Sequence, residues 1–72
     1  MQGDIRETVR QKIDFCKGLI TYYRENNIDM VADIIQKDID AAEAVLADDN
    51  ASVRDLVGAV HGLARNKYPW QT

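Results

Sequence analysis

Seventy-two residues, 46% apolar, with four glycines and one proline, imply a single small folded domain spanning 1–72 and argue against disorder. The formal net charge of −3 disfavours broad nucleic-acid affinity, which rests on neutralising phosphates. A lone cysteine excludes an internal disulfide framework, and no apolar run approaches the roughly 20 residues needed to span a bilayer. The N-terminal segment MQGDIRETVRQKIDF is charged throughout, unlike a signal peptide. The expected location is therefore the cytoplasm, with no membrane partner.

The spacing predicts a first helix over 4–25, opened by Asp4 as N-cap. Ile5, Val9, Ile13, Cys16, Ile20 and Tyr23 form its main apolar stripe at near-heptad spacing. Phe15, Leu19 and Tyr22 form a second stripe on the flank, so the apolar arc exceeds what one neighbour covers. Opposite them Arg6, Arg10, Lys17 and Arg24 line up as a basic stripe facing outward. Asn26-Asn27 is the break, one asparagine ending this helix and the next starting another. So short a connection makes the two helices antiparallel neighbours.

The second helix, over 28–48, is the central one. Ile28, Val31, Ala32, Ile35, Ile39, Ala42 and Leu46 share one face, and Met30, Ile34, Ala41 and Val45 make a weaker stripe beside it, broken by Asp38. Its acidic side carries Asp29, Asp33, Asp40 and Glu43. Asp48-Asp49-Asn50 ends it, because negative charge is disfavoured at a helix C-terminus.

A shorter third helix over 52–66 starts at Ser52, with Asp55 completing a weak capping box, and buries Val53, Leu56, Val57, Val60, Leu63 and Ala64. Gly58 and Gly62 leave a smooth strip away from that face, which suits a close approach by another helix or is simply tolerated. The tail 67–72 is aromatic: Tyr68 and Trp70 either fold back as a lid or stand out as anchors for a partner.

Charge is divided by segment, +2 over residues 1–24, −7 over 25–55 and +2 over 56–72. The basic stripe and the acidic face read first as solvated surfaces that complement each other across helix edges. Their sharper readings are phosphate contacts for the stripe and a docking face for a basic partner. For catalysis, His61 is the only histidine, at the edge of the third helix's apolar face, and Cys16 lies in the first helix's core stripe. A Cys–His pair needs both in one accessible cleft. No cluster of metal ligands and no glycine-rich phosphate loop is present in the sequence, and no cofactor is implied.

The expected fold is all-α, an antiparallel helical hairpin crossed by a shorter third helix. The expected function is non-enzymatic protein–protein interaction, as a small regulator or inhibitor. The alternatives are a nucleic-acid-associated module using the basic stripe, or a structural subunit of a larger assembly. Because the third helix is too short to cover the first, the expected assembly is a homodimer built around Phe15, Leu19 and Tyr22, with the tail alongside.

Overall fold

Three helices form in the expected order: α1 Gln2–Glu25, α2 Asp29–Ala47 and α3 Val53–Ala64, each packed against the other two. The computed structural model describes residues 2–71; Met1 and Thr72, the ends of the expected domain and tail, lie outside the described residues. Boundaries differ from the sequence reading at their ends. α1 begins two residues earlier, so Asp4 sits inside the first turn and favours the helix dipole from there instead of capping it. α3 stops at Ala64, where the chain leaves the helix axis to cross α1.

The junction between α1 and α2 is a Schellman motif. Asn27 adopts left-handed backbone at φ 61°, its N–H donates to the Arg24 carbonyl, and the Ile28 N–H donates to the Tyr23 carbonyl at 2.8 Å. The Asn26 side-chain amide donates to the Tyr22 carbonyl at 2.8 Å. Both asparagines are thus spent on ending α1. The expectation that one of them caps α2 is corrected: the N-cap is Ile28, with no side-chain cap hydrogen bond.

At its other end α2 has no basic residue in the last turn. Arg6 of α1 supplies the charge from across the hairpin, donating to the Leu46 and Asp48 carbonyls at 3.0 Å each. A guanidinium on terminal carbonyls satisfies orphan acceptors and the negative end of the dipole together. The Asp48 carboxylate then accepts the Asn50 N–H at 2.9 Å, and buried Ala51 turns the chain into α3. Ser52 and Asp55 form the full reciprocal capping box.

The core takes Val9, Ile13, Cys16, Leu19 and Tyr23 from α1, Ala32, Ile35, Ile39 and Ala42 from α2, and Leu56 and Leu63 from α3. These positions recur at three and four residues, which is why each helix buries one face. The twelve residues of α3 reach about 18 Å, half the roughly 36 Å of α1. The helix ends level with Cys16 and Asp38, where the Cys16 thiol meets the Leu63 carbonyl. What lies beyond that level is covered by the tail or not at all.

Candidate interaction surface

The tail is pinned by its polar groups. Asp38, the residue that interrupts the second stripe of α2, accepts from Asn66 Nδ2 at 3.0 Å and from Arg65 Nη2 at 3.3 Å. Tyr23 Oη donates to the Lys67 carbonyl at 2.7 Å. A turn then closes over Pro69 and Trp70: the Gln71 N–H donates to the Tyr68 carbonyl, and the Tyr68 N–H donates to Gln71 Oε1. Proline with its preset φ suits the second position of such a turn.

This turn lays Tyr68 and Trp70 on α1. Tyr68 meets Phe15 edge-on at 5.7 Å between ring centres and Tyr22 at 5.3 Å. Trp70 stacks on Tyr68 at 4.7 Å and meets Tyr22 edge-on at 5.3 Å. Edge-to-face and offset-stacked pairs are favoured by the ring quadrupole. The Tyr68 hydroxyl lies 3.4 Å from where a Cβ on Gly18 would stand, which places the end of the side chain against α1 at ordinary contact distance. Tyr68 is therefore the lid, and Trp70 remains 67% exposed on top of it.

The lid changes which apolar surface is left over. Leu19 is fully buried and Tyr22 half-buried, while Phe15 stays 42% exposed. The helix 1 flank that the sequence leaves uncovered is thus largely covered by the chain's own tail. Because the tail crosses onto α1, nothing follows α3 along α2, and Met30 and Ile34 stand beyond its end at 78% and 53% exposure. Val53 and Val57, expected in the core, also remain exposed on the flank of α3.

An open groove of about 450 Å³ runs between α1 and α3 beside the lid. Thr8, Gln11, Lys12 and Phe15 line it from α1, Leu63 and Ala64 from α3, and Asn66, Lys67 and Gln71 from the tail. Among the described residues neither Lys12 nor Lys67 takes part in an ion pair. A second groove of about 440 Å³, between α1 and α2, brings Arg10 and Lys17 alongside Glu43. Sequence spacing alone does not mark the groove lysines or Asp38 as site residues. Their signals were present: positions 8, 11, 12 and 15 share a helix face, and Asp38 breaks an apolar stripe.

Of the basic stripe, Arg6 caps α2, Arg24 pairs with Asp29 at 3.6 Å and Asp33 at 3.2 Å, and Arg10 pairs with Glu7. The stripe therefore lies against α2 rather than facing wholly outward. Asp40 accepts from Gln36 at 2.9 Å on the exposed side of α2. Around Gly58 and Gly62 there is open space within 4 Å, so among the described residues no element approaches that strip. Cys16 is buried and His61 exposed, so the two do not share an accessible cleft. Burial pushes the Cys16 thiol above its ordinary pKa and the Asp38 charge adds to this, while a hydrogen bond from Asn66 and the Lys12 charge oppose it. A thiol held protonated is a poor nucleophile.

No helix among the described residues is long and apolar enough to cross a membrane. Comparison of the chain with protein-family models, curated proteins and solved structures finds no match in any of the three.

Proposed function

We propose that the protein is a non-enzymatic interaction module, a small cytoplasmic regulator or inhibitor that acts by binding protein through the Phe15–Tyr68–Trp70 surface and the groove beside it, and that it self-associates. The observation that carries this reading is Trp70: a tryptophan two-thirds exposed, yet held in place by stacking on Tyr68 and by Tyr22 beneath it. Rigid aromatic side chains standing in solvent are the residues that contribute most at interfaces, because little conformational freedom remains to be lost on binding. Phe15 and the two groove lysines extend the surface into a concave, amphipathic one. The buried single thiol suits a reducing compartment.

The test is affinity capture from an extract of the source cell with the wild-type chain and with a Phe15→Ala/Trp70→Ala variant that retains its helical circular dichroism. A protein held by the wild type and released by the variant supports the reading. Equal retention by both, or none by either, overturns it. Salt-sensitive retention of nucleic acid that is weakened by Arg10→Gln/Lys17→Gln would instead favour the phosphate-binding alternative.

A further inference from the structure

We infer that the α1–α3 groove seats an acidic amphipathic helix of a partner protein, its apolar ridge lying along the groove and its carboxylates reaching Lys12 and Lys67. This rests on the reading of that groove as a protein-binding site, and it names the chemistry of what the groove takes.

The two grooves of the molecule differ in charge. The one between α1 and α2 sets Arg10 and Lys17 beside Asp14 and Glu43, so its cations have carboxylates in the same lining. The one between α1 and α3 is lined by Lys12 and Lys67 and by no carboxylate, and neither lysine is in an ion pair among the described residues. Lys12 is half-buried, in a lining it shares with Phe15, Leu63 and Ala64. A concave surface of this kind, in a chain of net charge −3, selects carboxylates and apolar side chains together and disfavours a basic partner. A phosphate backbone offers the charge without the apolar ridge.

Shape selects a helix. Regular structure among the described residues is helical throughout, so an extended peptide finds no strand edge to pair with. Two helices side by side form instead a channel into which the side-chain ridge of another helix packs. Val53 and Val57 share the stripe of Ala64 at helical spacing and are 44% and 38% exposed, so apolar surface runs on from the groove along α3. That helix is 12 residues long, about three turns, and a ligand helix of similar length matches it with anchors at about i, i+3 or i+4, and i+7. Asn66, Lys67 and Gln71 of the tail close the far end.

Selection from a displayed library of capped, helix-stabilised peptides of about 15 residues tests this. Binders should be enriched in Asp and Glu flanking apolar residues at helical spacing. A selected peptide should shift the amide signals of Lys12, Phe15 and Lys67 in a nuclear magnetic resonance titration. Its affinity should fall about tenfold or more in Lys12→Glu/Lys67→Glu, and should fall as salt is raised. It should stay within about twofold in Lys37→Glu/Arg54→Glu, which changes net charge equally but outside both grooves. Replacing the acidic residues of the peptide by lysine should restore binding to the groove variant. No enrichment, enrichment of basic or uncharged sequences, shifts confined to other surfaces, or equal loss in both variants would each overturn the proposal. So would the same shifts on concentrating the free chain without peptide, which would put a second copy in the groove. If the groove variant does not fold, Lys67→Glu alone, on the exposed tail, takes its place. The capture experiment with Phe15 and Trp70 fails separately: equal capture removes the surface as a protein-binding site, whereas failed selection beside a captured partner removes only the acidic helix as occupant.

Discussion

Replacing Leu19 by alanine separates a core residue from an interface residue. The sequence puts Leu19 in a flank stripe expected to bind a second subunit, whereas in the fold it has no exposure at all. Three buried carbons are removed, at about 0.8 kcal/mol each, for roughly 2.4 kcal/mol of lost transfer free energy. The cavity adds to that, because Leu19 is fully buried in the core cluster in mid-helix where neighbours cannot collapse freely, giving about 3–4 kcal/mol within the range known for such changes. A domain of this size holds only about 4–11 kcal/mol in all, so the loss is a large fraction of the total. Thermal melts by far-ultraviolet circular dichroism, at a concentration where the wild type is monomeric, should show Tm lower by at least about 12 °C at 4–8 °C per kcal/mol. Phe15→Ala, at a half-exposed position, should cost less than half as much. A Leu19→Ala melt within about 2 °C of wild type would mean Leu19 is not part of the core, and the packing of α1 would have to be redrawn. For the same reason Leu19→Glu is a poor probe of self-association, since it buries an unpaired charge in the monomer.

Gly58→Ala and Gly62→Ala face open space and should each raise stability by about 0.5–1 kcal/mol in urea unfolding; a loss would show that the strip is approached in the folded protein. Asn27→Gly should be neutral or stabilising, while Asn27→Val should cost about 1–2 kcal/mol in the same assay because a β-branched side chain resists φ 61°. Equal stability of the two would argue against the Schellman ending of α1. For Cys16 the folded pKa is raised, so its contribution is fully present below the ordinary value of 9.0 and is lost as pH climbs from there through the folded pKa. Stability measured against pH should fall in that alkaline window in the wild type and less so in Cys16→Ala.

Local periodicity determined a good deal by itself. Three amphipathic segments, the asparagine break, the Ser52–Asp55 cap and the main core faces follow from spacings of three and four residues and from the chemistry of single turns. Those are interactions within a few residues, and they are legible in order along the chain. The candidate surface was legible in part: Phe15, Tyr68 and Trp70 could be named, but not whether the tail would cover Phe15 or expose it. What only the tertiary structure decided is where the short third helix ends and which way the chain goes afterwards. Asp38 catches Arg65 and Asn66, and Tyr23 catches the Lys67 carbonyl, so the tail crosses onto α1. That crossing lays Tyr68 on Phe15 and Tyr22 and leaves Met30 and Ile34 beyond the end of α3, while Leu19, expected at an interface, belongs to the core. The partners in those contacts are 27 to 44 residues apart, and a pattern read at helical spacing carries no information at that separation.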